Sequence, residues 1–337
     1  MKKKVIVGMS GGVDSSVAAA LLMRDYDVTG VTLLLHGNDD SDAKEVCKKL
    51  GIEHVSWNAE KEFSEYVINN FTSEYLAART PNPCIICNQR IKFGVMADVA
   101  EKLGADFIAT GHYSRLVEHD GELFPAKALF DEKDQTYALC RLKQSQLRKS
   151  LFPLGEISKD DVRKIASDIS LSVAEKKDSQ DICFIPDGDY AAYIEERFGK
   201  QPRGRFIGPK GEDLGEHKGL LHYTVGQRRG LGIPYSERIF VSRLDAEKNE
   251  VILGLEGSQS RTEVYADDLT FVSDKPQAEE FSCSAKIRYN AKAAPCTVRI
   301  SGDSVTATFQ SPQRGVSPGQ SLVFYDGERL IGGAVIK

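Results

Sequence analysis

Val7-Gly8-Met9-Ser10-Gly11-Gly12-Val13-Asp14-Ser15-Ser16 sets the architecture of the chain around it. The apolar run from Lys4 to Val7 reads as a short buried β-strand. Val17-Ala18-Ala19-Ala20-Leu21-Leu22-Met23, on the far side, reads as the first helix of a βαβ unit. Between strand and helix lie adjacent glycines and a cluster of hydroxyl and carboxylate side chains. Glycine lets backbone approach a ligand closely, and the free amides at a helix start favour an anion. Strand, Gly/Ser loop and helix together make a phosphate cradle. A tight turn with Asp14 or Ser15 as helix cap is the plain alternative. A Walker loop is excluded, because no Lys or Arg occurs between Lys4 and Arg24. The dinucleotide fingerprint is excluded too, since Gly8, Gly11 and Gly12 have the wrong spacing.

The remaining pattern, S-G-G-x-D-S after a first strand, resembles the pyrophosphatase loop of the ATP-pyrophosphatase (PP-loop) superfamily. That resemblance implies adenylation of a carbonyl or carboxylate oxygen with release of pyrophosphate.

Length and composition bound the rest. At 337 residues the chain is expected to hold two or three domains. A hydrophobic content of 41% supplies several cores, and no apolar run approaches membrane-spanning length. Met1-Lys2-Lys3-Lys4 begins like a secretion signal, but Ser10-Gly11-Gly12 and Asp14 interrupt any apolar core for one. Seven cysteines, an odd number over a long chain, do not describe a secreted disulfide framework, so a cytoplasmic protein is expected. Net charge is −5, which does not advertise nucleic-acid binding by the whole chain. Between Arg197 and Arg229, however, eight Lys/Arg face three acids, with Phe206, His222 and Tyr223 interleaved. Such a stretch reads equally as a phosphate-backbone footprint or as a solvated loop face.

In chain order, Val28 to Leu35 and Glu53 to Trp57 read as strands, and Ser41 to Leu50 as a helix. From Glu60 to Ala78, Phe63, Val67, Phe71 and Tyr75 recur at steps of four, a helical pattern. Strands alternating with helices predict a parallel sheet, with ligands outside the carboxyl ends of its strands. Leu33 and Leu34 would flank an adenine there, or simply pack in the core. Pro81 and Pro83 bracket Asn82 in a stiffened loop before Cys84 and Cys87, with a helix expected near Asn88. A thiol there, with Arg90 and Lys92 nearby, is expected to have a depressed pKa. C-x-x-C spacing fits a redox pair, half a zinc site or part of an iron–sulfur site, and no second pair completes a zinc finger. Asp106 to Thr110 is another strand, ending in Gly111-His112-Tyr113, where His112 reads as a substrate contact or a loop cap. Ser158-Lys159-Asp160-Asp161 starts a helix through Ala166. Lys176 to Pro186 turns from charged to apolar around Cys183, whose thiolate Lys176 and Lys177 would stabilise; an inert buried thiol is the alternative. After the helix Tyr190 to Phe198 come short β-like runs at Gly219 to Thr224, Arg238 to Ser242 and Glu250 to Leu253. From about Ser258 six short strands bounded by Asp, Gly and Pro suggest a small barrel. Its Lys/Arg and Asp/Glu counts balance at nine each, so it is no general basic clamp.

With both cysteine segments placed, the chain resembles the bacterial tRNA-specific 2-thiouridylases from Lys4 to Ile336. The shared motifs run in one order: the glycine loop, T-P-N-P-x-x-x-C-N from Thr80, A-T-G-H-Y from Ala109, K-D-Q from Lys133 and K-D-S-x-x-I-C-F-I from Lys177. T-V-G-Q-R-x-G-L-G-I follows from Thr224, then R-Y at Arg288, P-C-T-V from Pro295 and P-G-Q-S from Pro318. The resemblance implies a Rossmann-like parallel-sheet (HUP) ATP-binding domain over 1–190, a small mostly-β domain over 191–257 and a tRNA-contacting barrel over 258–337. It implies that Gly8, Met9, Ser10, Gly11, Gly12, Val13, Asp14 and Ser15 hold ATP, bordered by Leu33 and Gly111. It places Asn82, Pro83 and Cys84 at the target base, and gives tRNA to Lys133, Asp134, Gln135, Arg288 and Tyr289. His112 and Gln320 match further tRNA-contact positions. Cys87 matches the nucleophile and Cys183 the persulfide carrier.

The implied reaction needs ATP and Mg²⁺, the wobble uridine of a tRNA anticodon stem-loop, and a protein that donates persulfide sulfur; no membrane is involved. In one respect the chain departs from the family. Cys84 stands where well-described members carry Asp, so that Cys84, Cys87 and Cys183 would suffice for a [4Fe–4S] cluster with an open iron, giving the same product without a persulfide. Another PP-loop tRNA-modifying ligase would need a glutaminase, an ammonia-handling partner or other RNA-binding domains. A nucleotide-dependent tRNA binder without catalysis would be indifferent to loss of Cys183.

Overall fold

The structure is a computed structural model that describes residues 2–171, 173, 182–275 and 277–337. Lys176, Lys177 and the rest of the charged run to Asp181 lie outside the described residues.

Strand β1 (Lys4–Gly8) lies at the centre of a parallel sheet with β2 (Asp27–Leu34), β3 (Glu53–Asn58), β4 (Phe107–Ala109) and β7 (Ser150–Leu151). Their order is β3-β2-β1-β4-β7. Successive side chains of a strand point to opposite faces, and β1 obeys this strictly. Val5 and Val7 pack with α1 (Val13–Leu22), α2 (Ser41–Leu50) and α8 (Lys159–Asp168), while Ile6 joins the core beneath the other face. The helical run on that second face is α3 (Glu60–Phe63), a π-helical turn over Ser64–Ile68, and α4 (Asn69–Leu76). A four-residue step over-rotates a 3.6-residue helix by about 40°. One i→i+5 turn absorbs that drift. Phe63, Val67, Phe71 and Tyr75 therefore all stay buried in one core.

The strand order reverses at β1 and β4, the place where open α/β sheets bind ligands. The loops following these two strands carry the glycine motif and Gly111-His112-Tyr113.

After α9 (Tyr190–Phe198) a small four-stranded sheet has the order β10-β11-β8-β9. Its strands are β8 (Gly204–Ile207), β9 (Asp213–His217), β10 (Ile239–Asp245) and β11 (Glu250–Leu255). Gly219 to Thr224, expected as a strand, instead contains a 3₁₀ turn over Leu220–His222. Gly219 enters that turn at φ +121° and Leu221 joins the core on the second face of the parallel sheet.

The C-terminal strands β12 (Ser260–Phe271), β13 (Glu280–Lys286), β14 (Ala294–Ser301), β15 (Ser304–Arg314), β16 (Ser321–Asp326) and β17 (Arg329–Ile336) close into a six-stranded barrel through β12–β17 pairing. Its interior takes alternate residues, such as Val305, Ala307 and Phe309 of β15. A hairpin from far upstream, β5 (Arg115–His119) and β6 (Glu122–Ala126), extends this sheet through Arg329 opposite Ala126. Beneath it a further core joins Phe93, Tyr137 and Leu139 to Val323, Tyr325 and Leu330 of the barrel.

Among the described residues no helix is long and apolar enough to cross a membrane.

Candidate active site

The glycine loop leaves β1 at Gly8 and turns at Gly11, whose φ of +68° suits a residue without a side chain. Gly12 is the N-cap of α1, and no described side chain caps that helix start. The capping role open to Asp14 or Ser15 is thus not taken. Ser15 Oγ instead donates to Gly12 O and accepts from the Ser10 amide, tying the loop to its own helix. Ser16 Oγ donates to the same carbonyl at 2.8 Å. With its hydroxyls bonded inward, the loop is left to meet an anion with backbone amides.

From the β4 side, Gly111 closes against the loop. A Cβ at Gly111 would lie 2.8 Å from Ser15 N and 2.9 Å from the Asp14 carbonyl carbon, so only glycine fits. Leu33, part-buried at the carboxyl end of β2, lies among the residues packed on the second-face core. Asp14 faces outward and is held twice. Tyr113 Oη donates to Asp14 Oδ1 at 2.7 Å. Lys159 Nζ donates to Oδ1 and Oδ2 at 2.7 and 2.9 Å. Neither partner stood out in the sequence. Lys159 looked like part of a helix start, and Tyr113 merely followed Gly111-His112. Only the absence of a cation within the loop hinted that one comes from elsewhere.

The second half of the site begins at Asn82. Its Oδ1 accepts from the Cys84 amide and caps α5 (Pro83–Cys87), which has proline at its first position. The helix therefore starts at Pro83, not near Asn88, and runs on through a π-helical stretch (Asn88–Val95) into α6 (Met96–Leu103). Cys84 is exposed in the first turn, whereas Cys87 ends α5 with its side chain buried. That geometry overturns the expected low pKa. Burial pushes the Cys87 thiol up to about 12, with Cys183 and Cys84 adding to it and Lys92 only partly opposing. Cys183 is exposed as a residue, yet the protein packed around its sulfur also raises its pKa, helped by Cys84 and opposed by Lys92. The three thiols and Lys92 are thus close enough to feel one another's charge. Among the described residues no three His, Cys, Asp or Glu side chains are arranged to hold a metal ion.

His112 bridges the two halves. It is buried, its Nδ1 shares a 2.8 Å hydrogen bond with Thr110 Oγ1, and its ring packs by Phe93 and Phe152. Burial, with Lys92 nearby, lowers its pKa well below the usual value and keeps it neutral.

Lys133-Asp134-Gln135 is less of a surface patch than its polarity suggests. Asp134 is buried and accepts from Thr136 N, Thr136 Oγ1 and Ala128 N. Lys286 Nζ of the barrel lies 3.8 Å away. Gln135 and Tyr113 exchange two hydrogen bonds of 3.0 Å, so this turn buttresses the residue that holds Asp14. Lys133 stands at the part-buried edge. Tyr289, following β13, donates to Asp134 O at 3.2 Å, and its neighbour Arg288 is exposed. Gln320 Nε2 donates to Thr80 O at 2.7 Å, and Thr80 N to Pro318 O, strapping the Thr80–Asn82 loop onto the barrel. In the basic stretch, Arg203 and Arg205 pair with Glu216 and Asp213 across β8 and β9, while Arg228 and Arg229 are exposed.

Comparison with known proteins agrees with this layout. The family described as "tRNA methyl transferase HUP domain" matches residues 3–187. "tRNA methyl transferase PRC-barrel domain" matches 191–255 and "Aminomethyltransferase beta-barrel domain" 261–336. A "tRNA-specific 2-thiouridylase MnmA" of Clostridium acetobutylicum is 45% identical, covering 100% of both chains. Proteins of the same name from Acetivibrio thermocellus and Clostridioides difficile are 44% and 43% identical, each over 100% of this chain and 99% of the relative.

Proposed function

The chain belongs to the tRNA-specific 2-thiouridylase family, and from that membership we infer that it is a sulfurtransferase converting a tRNA uridine to 2-thiouridine with ATP. The residue roles below are our reading of the site. One observation carries it: Cys87 and Cys183, nearly a hundred residues apart, share one electrostatic neighbourhood with Lys92, and Lys92 also acts on His112, next to the Gly111 that closes the phosphate loop.

A uridine C2 oxygen is a poor leaving group until it is esterified. The oxygen attacks the α-phosphate of ATP, pyrophosphate departs, and C2 then carries an adenylate. Loop amides from Gly8 to Ser15 favour the charge building on the departing pyrophosphate. Mg²⁺, brought with the nucleotide, would supply further charge neutralisation. Leu33 and Gly111 border the nucleotide. Asn82, Pro83 and Cys84 receive a base flipped from the anticodon stack. Lys133, Asp134, Gln135, Arg288 and Tyr289, with His112 and Gln320, form or support the tRNA-facing surface.

The terminal sulfur of a persulfide on Cys183 attacks C2 and displaces AMP, giving a C2–S–S–Cys183 link. The Cys87 thiolate then attacks Cys183 Sγ, releasing the C2 sulfur and leaving a Cys87–Cys183 disulfide. A dithiol reductant supplies two electrons to reopen it. The exposure of Cys183 fits loading by a persulfide-bearing donor protein, and the burial of Cys87 keeps the second thiol out of reach until it is needed. A cluster with an open iron would take Cys84, Cys87 and Cys183 as its ligands, which among the described residues are not grouped as a metal site.

The test is nucleoside mass spectrometry of unmodified tRNA incubated with enzyme, ATP, Mg²⁺ and a persulfide donor. Wild type yields 2-thiouridine, AMP and pyrophosphate. Cys183→Ala yields no thionucleoside while still binding tRNA. Full product from Cys183→Ala would sink the persulfide route.

A further inference from the structure

We propose that Lys159 is the phosphate-side cation of this enzyme, holding the Asp14 carboxylate and donating to the pyrophosphate oxygens during adenylation. This rests on the reading of Gly8 to Ser15 as the ATP loop.

The need for such a group is chemical. Pyrophosphate leaves with several negative charges, and Asp14, a carboxylate, projects from the loop that receives it. From Val5 to Met23 the sequence offers no Lys or Arg. Apart from the Mg²⁺ that comes with the nucleotide, amide dipoles alone would have to offset both the ligand's charge and that of Asp14.

The fold supplies the missing charge from 145 residues away. Lys159 is the first residue of α8, whose N-cap Ser158 accepts from the Asp161 amide. That cap fixes the helix start, and α8 packs on α1 through Val162 and Ala166 in the shared core. The lysine stem is therefore rigidly based. Its Nζ reaches both Asp14 oxygens, and its side chain is only 12% exposed. The ammonium also lies 5.9 Å from the Tyr113 ring centroid, and Tyr113 Oη bonds the same carboxylate.

Desolvating a lysine and an aspartate is a poor way to gain stability, because the penalty on both ions rivals their attraction. Placing that pair at the mouth of an anion site serves binding better. With Asp14 neutralised, the triphosphate meets no net repulsion. The three-donor ammonium then swings onto phosphate oxygens without leaving its helix.

The experiment uses the full chain with the variants Lys159→Met, Lys159→Gln and Lys159→Arg. Equilibrium dialysis gives affinities for ATP, inorganic pyrophosphate and AMP, and AMP release is followed with tRNA present. Gln keeps an N–H for Asp14 without the charge, and Arg keeps the charge. Loss of a charge-assisted bond to phosphate predicts that Met and Gln weaken ATP and pyrophosphate at least ten-fold. AMP should stay within two-fold, and Arg should restore pyrophosphate. Should Met fail to fold, the Gln/Arg pair reads the same difference. Equal losses for ATP, pyrophosphate and AMP would mean that Lys159 merely props the loop, and unchanged affinities would mean that it does nothing there. Either result overturns the proposal. Wild type that binds ATP but releases no AMP with tRNA would instead count against the thiolation reading.

Discussion

Cys87 keeps its proton far above the range of an ordinary thiol. With its pKa pushed from 9.0 to about 12, its thiolate fraction at pH 8 drops roughly a thousand-fold. Mass-mapped alkylation with iodoacetamide at pH 8 should modify exposed Cys84 and Cys183 and spare Cys87. From pH 9 to 11 the rate at Cys87 should keep rising about ten-fold per unit, where an ordinary thiol has levelled off. The stability sign follows. The folded chain retains a proton that the unfolded chain loses above pH 9, so this thiol's contribution is full below pH 9 and fades as pH climbs toward 12. Asp134 is the other residue whose environment makes a sharp prediction. Replacing it with Ala leaves Thr136 N and Ala128 N without their buried acceptor and should lower unfolding free energy by about 2 kcal/mol or more in urea titration. Asp134→Asn, which keeps an acceptor, should lose less.

At the level of elements, two short loops set the geometry of the site. Gly111→Ala would drive a methyl group into the backbone of Ser15 and Asp14, so the loop must shift, at about 1–3 kcal/mol. ATP affinity should fall at least ten-fold while tRNA affinity stays near wild type, measured by dialysis and filter binding. An unchanged ATP affinity would show that the loop has room the structure denies it. The helix carrying Cys84 and Cys87 depends on Asn82 as cap. Asn82→Ala should cost about 1 kcal/mol of stability, and Asn82→Asp, which caps equally well, should restore it. The helix start shifted from Asn88 to Pro83 because proline at the first helical turn loses no hydrogen bond and Asn82 supplies the cap. Both signals are present in the sequence, but the two prolines suggested a loop.

Across the whole molecule, catalytic region and barrel are not separable pieces. The β5–β6 hairpin sits on the barrel sheet, and Phe93, Tyr137 and Leu139 share a core with Val323, Tyr325 and Leu330. Cutting the chain after residue 257 should therefore expose a large apolar face. The 1–257 fragment is expected to aggregate, or to bind the dye ANS and lose protease resistance across 115–147. A monomeric, resistant fragment would contradict this. A run of hydrogen bonds also links the barrel to the phosphate loop: Tyr289 to Asp134, Gln135 to Tyr113, and Tyr113 to Asp14.

The strands, helices and glycine loop of the catalytic region were legible because their periodicity and turn residues are local. The six barrel strands were legible for the same reason, and so were both cysteine segments. The β5–β6 hairpin was missed, although Asp120-Gly121, which adopts positive φ at both positions, is a residue pair that a tight turn favours. What pattern alone could not supply were quantities set by distant neighbours. The Cys87 pKa depends on the burial of its helix, the inward turn of Asp134 on a tyrosine and a lysine of the barrel, and the ion pair at Asp14 on Lys159. Sequence by itself determined the alternating α/β region, the six barrel strands and the family, because those follow from residue type and spacing along the chain. The tertiary structure decided which charges meet and which thiols stay dry, because electrostatics and burial act through space between residues that the chain keeps far apart.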